Sequence, residues 1–280
     1  MEHLRWTHRP TLERPVLIAA FEGWNDAGDA ASSAVSWFTD RWDAEPFADI
    51  DPEEFFDFTS TRPEVRREDG RRVIDWPTNQ FAAGKLPDSG RDVILLQGVE
   101  PQLKWRTFCD LVLEVAQPFD AAMVVTLGAL LAEVPHSRPV NIAGTAYDRE
   151  VVERLGLAQS TYEGPTGIVG VLHAQCRDAG MTSASLWATV PTYVPGSPSP
   201  KATLALVEKT AALLDTGVIT TDLEIATASY ERQINELVAD DDETQAYVAA
   251  LEQRHDEGDD DEPDDLITEV ERFLRDRDDQ

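Results

Sequence analysis

Cysteine is nearly missing from this 280-residue chain, which holds only Cys109 and Cys176. Two thiols far apart in sequence build neither a disulfide framework nor, by themselves, a cysteine zinc site. Both fall in segments that read as amphipathic helices, where a free cysteine packs as a small hydrophobe. Lysine is scarce too, with four against twenty arginines, a bias that carries no functional reading. No apolar run reaches 18 residues, so no transmembrane helix is expected. The opening Met1-Glu2-His3-Leu4-Arg5-Trp6 lacks the basic-then-apolar order of a signal peptide, and a cytoplasmic protein is expected. Positive charge is outnumbered, 24 Lys and Arg against 53 Asp and Glu, for a net −29. That balance excludes recognition of nucleic acid through its phosphates and binding to anionic membranes. The chain also has no phosphate loop, no Gly-x-Ser-x-Gly elbow, no His-Glu-x-x-His and no dinucleotide fingerprint after its first long strand. No cofactor and no metal are therefore expected.

What is present is a series of apolar, strand-like runs, each ending in a polar or glycine-bearing turn. The expected strands are 16–21, 55–59, 72–76, 93–97, 122–127, 140–143 and 184–190. Several are continuously apolar, the pattern of strands covered on both faces. Helical periodicity falls between them at 27–38, 102–116, 148–155, 167–179 and 200–215. Alternation of the two implies an α/β three-layer sandwich with a largely parallel sheet. Asp69-Gly70 between 55–59 and 72–76 signals a peripheral antiparallel hairpin. The turns at Glu22, Glu100, Gly128 and Thr145 are expected at one edge of the sheet, because right-handed crossovers keep parallel strands pointing one way.

Beyond residue 216 the pattern is helical, and eight of the eleven residues from His255 to Asp265 are acidic. Such a block repels itself and is expected to be solvated and mobile. The apolar face of Leu266, Ile267, Val270, Phe273 and Leu274 then predicts a short amphipathic helix that needs a partner. The expected organisation is a body over 1–216, a helical extension over 217–254 and an acidic tail over 255–280.

In open parallel sheets, ligands and partners meet the protein at strand C-termini. The first such segment is Glu22-Gly23-Trp24-Asn25-Asp26, where Asn25 or Asp26 can cap the next helix and Glu22 with Asp26 can serve acid–base or metal chemistry. Glu100 follows another buried strand and can pair with Arg106 or contribute to the rim. His136 and Arg138 stand on a proline-stiffened loop, either as surface or capping groups or as anion contacts and a proton donor. Tyr162 and Glu163 precede glycines at a helix start, where free amides can hold an anion or glycine can simply permit close packing. Trp24, Trp105, Trp187 and the proline-rich 191–200 segment suggest exposed stiff apolar surface suited to a closed homo-oligomer.

Several of these segments together resemble the PAC2 (proteasome assembly chaperone 2-like) family in its actinobacterial branch. The resemblance rests on Ala20-Phe21-Glu22-Gly23-Trp24-Asn25-Asp26-Ala27-Gly28, Gly98-Val99-Glu100-Pro101 with Trp105-Arg106, the run from Gly128 to Pro139, Tyr162-Glu163-Gly164-Pro165-Thr166-Gly167, and Leu186-Trp187-Ala188-Thr189-Val190-Pro191. It implies a phosphorylase/hydrolase-like α/β fold, a homo-oligomer with a trimer ahead of a dimer, and a proteasome-related protein partner. Family members that dock on proteasome rings can end in a hydrophobic residue, tyrosine and any residue, whereas this sequence ends Arg277-Asp278-Asp279-Gln280. Docking by that route is not expected. The leading expectation is a non-catalytic, chaperone-like binding protein. The alternative is a hydrolase or transferase acting on a small anionic metabolite at the rim.

Overall fold

The structure, a computed structural model, describes residues 3–159, 163–194 and 196–257. Its centre is formed by four parallel strands, β7 (Asp92–Val99), β2 (Val16–Glu22), β8 (Met123–Ala132) and β11 (Ser183–Pro191), in that spatial order. Their near-unbroken burial follows from their continuously apolar sequences, since strands covered on both faces need no polar alternation. Antiparallel pairings extend this quartet on both sides. β6 (Asn79–Lys85), β3 (Glu45–Ile50) and β1 (Leu4–Trp6) follow β7, and β9 (Ile142–Ala146) follows β11, with β10 (Ala158–Gln159) then parallel to β9 at the edge.

The period-two alternation of side chains separates two cores. Leu17, Ala19 and Phe21 of β2 face α2 (Trp105–Ala116) and α4 (Ile168–Asp178). Val16, Ile18 and Ala20 face α1 (Ala30–Arg41) and α5 (Pro200–Leu213), with α3 (Arg149–Leu155) beside them. The result is an α/β three-layer sandwich. Two further helices, α6 (Thr221–Ala239) and α7 (Asp242–Asp256), form a C-terminal pair, with α6 packed on α5. No helix among the described residues is long and apolar enough to cross a membrane.

Three expectations need correction. Gly128 is not a strand end, because β8 continues to Ala132. Thr145 lies at the opposite end of the sheet from Glu22 and Glu100, since β9 runs antiparallel to β11. The connection 133–141 is too short for a helical crossover, so the chain reverses at the rim instead. Residues 55–59 form no strand: Phe55 and Phe56 are buried in a turn, and the hairpin pairs β4 (Glu64–Glu68) with β5 (Arg71–Asp75). Its turn is Asp69-Gly70, both with positive φ (48° and 79°), as two-residue hairpin turns require.

The tryptophans also differ from expectation. Trp187 is buried, and Trp24 and Trp105 are only partly exposed. A Cβ at position 128 would come within 2.7 Å of the Trp187 ring, so glycine there makes room for the indole inside the sheet sandwich. The expected helix beyond Leu266 lies outside the described residues, as do 258–265 of the acidic block. His255 and Asp256 close α7.

One buried polar cluster crosses the sheet-to-helix layer. Thr126 of β8 lies 2.9 Å from His173 Nε2 on α4 and donates to Ser185 Oγ of β11 at 3.0 Å. With the Thr126 hydrogen directed at Ser185, Nε2 carries the proton and donates to Thr126. Burial lowers the His173 pKa from 6.5 to about 4. The unfolded chain therefore takes up this proton first, and the stability contribution is complete above pH 6.5 and lost as pH falls through 4. The shift corresponds to roughly 3 kcal/mol. Denaturant titrations of wild type and His173→Gln at pH 7.5 and 4.5 are expected to show the wild-type loss on acidification reduced in the variant. An equal acid loss in both would show that His173 does not titrate with folding.

Candidate functional site

The ends of β2 and β7 lie side by side at the C-terminal rim, with Glu22 paired to Val99. The backbone N–H of Glu100 donates to the Glu22 carbonyl at 2.9 Å. After Glu22 the chain swings out and returns to β8, where Asp26 bridges Ala129 and the Ala129 N–H donates to the Asn25 carbonyl at 2.8 Å. This excursion carries Gly23, Trp24, Asn25 and Asp26 across the rim and delivers the chain into α1.

Each polar side chain in the excursion has a definite destination. Asp26 is buried and accepts hydrogen bonds from the backbone N–H groups of Ala31 (2.7 Å) and Ser32 (3.2 Å), closing the first turn of α1. Asn25 is almost completely buried and donates through Nδ2 to Glu100 Oε1 at 3.0 Å. The same Glu100 oxygen accepts from the Ile168 N–H at 3.2 Å, at the first turn of α4. Trp24 and Glu100 both close on Gly167, where a Cβ would stand 3.0 Å from the indole and 3.1 Å from Oε1. Glycine at 167 therefore lets α4 begin against this pair.

Glu22 is the exposed carboxylate of the group, and its pKa is raised by desolvation first, then by repulsion from Asp26 and Asp29. Burial also raises Asp26, with the Ser32 and Ala31 hydrogen bonds opposing it. Arg106, on the first turn of α2, is exposed, and the Glu100 contacts given above lead to Asn25 and Ile168 rather than to it. Glu163 is exposed, and Tyr162 lies outside the described residues. Among the described residues no three histidine, cysteine or carboxylate side chains converge in a group able to hold a metal ion.

His136 and Arg138 are directed elsewhere. His136 is buried, and the Tyr193 hydroxyl accepts from its backbone N–H (2.7 Å) while lying 2.8 Å from Nδ1. Tyr193 thus donates to Nδ1, leaving Nε2–H to donate to Asn235 Oδ1 of α6 at 3.1 Å. Burial lowers the His136 pKa, an effect reinforced by Lys201 and opposed by the Asn235 hydrogen bond and nearby Glu252 and Glu231. Lys201 donates to the His136 carbonyl at 2.6 Å and pairs with Glu231 of α6. Arg138 grips Asp256 of α7 with two bonds of 2.7 Å and reaches Glu252 at 3.4 Å. Below this polar clasp, Tyr230, Ile234, Val238 and Val248 form a small apolar cluster with Tyr193 and Val194.

The eleven sequence-derived candidates therefore divide. Glu22, Gly23, Trp24, Asn25, Asp26 and Glu100 come together at the ends of β2 and β7, whereas His136 and Arg138 fasten the C-terminal helices. Sequence reasoning missed Tyr193, Lys201, Asn235, Glu252 and Asp256 as partners of that loop. Only the tyrosine and proline cluster at 191–195 hinted at an ordered contact there. Removing the clasp is expected to act locally. In Arg138→Ala, amide exchange across Asp242–Asp256 should accelerate while β2, β7 and β8 stay protected, because the helix pair has only a small core of its own. Unchanged exchange in α7 would show that Arg138 does not hold it.

Comparison with known proteins agrees with this architecture. The PAC2 family model matches residues 20–238. A PAC2 family protein from Streptomyces avermitilis shares 42% identity over 84% of this chain and 99% of its own, with a TM-score of 0.79. A proteasome-assembly chaperone homologue from Mycobacterium tuberculosis shares 45% identity over 83% of this chain and 99% of its own, with a TM-score of 0.76. An archaeal proteasome activator from Pyrococcus furiosus, 18% identical over 85% of this chain and 99% of its own, shares the fold at a TM-score of 0.68. No match was found among the curated proteins. The family match covers the rim excursion and all of the sheet but β1 and the start of β2, and these actinobacterial relatives align over almost their whole length: the chain belongs to the PAC2 family, in its actinobacterial branch.

Proposed function

We propose that this chain is a non-catalytic, chaperone-like protein of the cytoplasm that binds a proteasome-related protein, working as a closed homo-oligomer, with a trimer ahead of a dimer. The observation that carries this reading is the occupation of the rim by the chain's own hydrogen bonds. Asp26 is engaged with the amides of α1 and Glu100 with Asn25 and the start of α4, while His136 is turned away to Tyr193 and Asn235. A general acid or base must instead reach a substrate proton. Glu22 is exposed, and its pKa is raised by desolvation first and then by repulsion from Asp26 and Asp29. A rim of that charge opposes the small anionic metabolite that an enzymatic reading requires. Relatedness to the mycobacterial chaperone homologue supports the partner class.

The test is direct binding to purified proteasome α subunits, before and after ring formation, by light scattering coupled to gel filtration. Co-elution with α subunits and faster ring formation are the expected results. A Glu22→Gln substitution at the rim is expected to leave that binding within about twofold, a small free-energy change. Absence of any complex, together with turnover of a metabolite abolished by Glu22→Gln, would replace this reading with the enzymatic one.

A further inference from the structure

The β4–β5 hairpin stands apart from the rest of the fold. Its strands pair only with each other, forming a second, two-stranded sheet. Such a ribbon alone in water is marginal, and a face that packs on nothing is available to a partner. Strand alternation places Val65 opposite Ile74 and Arg67 opposite Arg72 on one face, with Trp76 continuing the Ile74 side. Val65, Ile74 and Trp76 are 54%, 52% and 44% exposed. Trp76 is held at its base by an edge contact to Phe58, with ring centroids 4.9 Å apart.

The charge of the ribbon is as unusual as its apolar exposure. Residues 62–72 hold five arginines against three acids, in a chain of net charge −29. Arg66 is neutralised by Asp75 at 2.5 Å and Glu68 at 3.3 Å. Arg67 and Arg72 sit directly opposite each other, both exposed, and neither forms an ion pair with another described residue. Like charges opposed across a ribbon are unfavourable unless an acidic surface joins them.

That acidic surface lies at the base of the same ribbon. A groove of about 620 Å3 runs beside Ile74 and Trp76 and is lined by Asp49, Asp51 and Glu53, against one arginine, Arg5, which pairs with Asp51 and Asp49, and by Asp75, which is held by Arg66. Burial raises the pKa of Asp49 there, with Asp51 adding to the rise and Arg5 opposing it. The ribbon thus carries a basic tip and an apolar middle, and the acidic groove formed by β3 and the turn after it lies at its base. We propose that the Arg67/Arg72 end of one ribbon seats in the Asp49/Asp51/Glu53 groove of a second copy of this chain, with Val65, Ile74 and Trp76 covered between them. Both halves of the contact are present on every copy, which is what a self-associating surface requires. A nucleic acid is a poor occupant, because the rest of the chain repels phosphate.

This inference rests on the homo-oligomer reading above and names the surface that builds it. Light scattering coupled to gel filtration on the full chain separates the two. Wild type is expected at a multiple of 31.1 kDa, weakening with salt because the contact is charged. Arg67→Glu with Arg72→Glu is expected to raise the dissociation concentration by about tenfold or more. Adding Asp49→Arg and Glu53→Arg to that variant should restore assembly. The arginines are exposed, so an unchanged unfolding midpoint serves as the folding control. If the charge-reversed variant assembles like wild type, the ribbon is not the contact, although the oligomer reading stands. If reversal dissociates the assembly and the groove substitutions fail to rescue it, the acidic groove is not the seat. A wild-type mass of 31.1 kDa across a hundredfold dilution overturns both readings.

Discussion

The rim of this molecule depends on one carboxylate. Glu100 stands at the end of β7, and its Oε1 accepts from Asn25 on the excursion after β2 and from the first amide of α4. One oxygen therefore ties together two neighbouring strand ends and a helix on the face below them. A carboxylate at a helix N-terminus also meets unpaired N–H groups and the positive end of the helix dipole. Asp26 does the same for α1 on the opposite face, across the intervening short helical turn. The two acids hold the helices at the ends of the strands where an open α/β sheet would otherwise offer a crevice.

A second polar assembly fastens what lies outside the sandwich. The C-terminal helices add a small apolar cluster with Tyr193 and Val194 to the packing of α6 on α5, and hydrogen bonds and ion pairs from the 136–138 loop and Lys201 help to fix their position. A partly exposed pair such as Arg138 with Asp256 adds little stability individually. Their effect is to select one orientation for helices whose hydrophobic contact is small. His136 is placed for this role by a neutral ring that accepts from Tyr193 and donates to Asn235.

Sequence periodicity carried the buried parallel quartet, because β2, β7, β8 and β11 are almost continuously apolar. It carried the hairpin turn as well, through Asp69-Gly70. The strands at β1, β3 and β6 were not legible, since Glu45–Ile50 and Asn79–Lys85 mix polar and small residues and take their strand geometry from neighbours already in the sheet. The ribbon strand Glu64–Glu68 has a single apolar residue, because a face turned to water needs no alternation. At the site, the loops could be named as strand-ending segments, but the destinations of their side chains could not. Asn25 and Glu100 are 75 residues apart, and His136 and Asn235 are 99 apart. Such pairs exist only once the topology brings their elements together.

Whether the rim carboxylates serve the fold or an external ligand is decided most directly at Glu100. A carboxylate kept for function is commonly held at a cost to stability, so its removal leaves a protein equally or more stable. A carboxylate that satisfies buried donors behaves oppositely. Equilibrium unfolding of Glu100→Ala, with amide exchange followed at Ile168, is the measurement. The account predicts a loss of about 2 kcal/mol, as expected when buried donors lose their acceptor, with faster exchange at Ile168 and a smaller loss in Glu100→Gln. A Glu100→Ala protein as stable as wild type or more so, with Ile168 still protected, would contradict it.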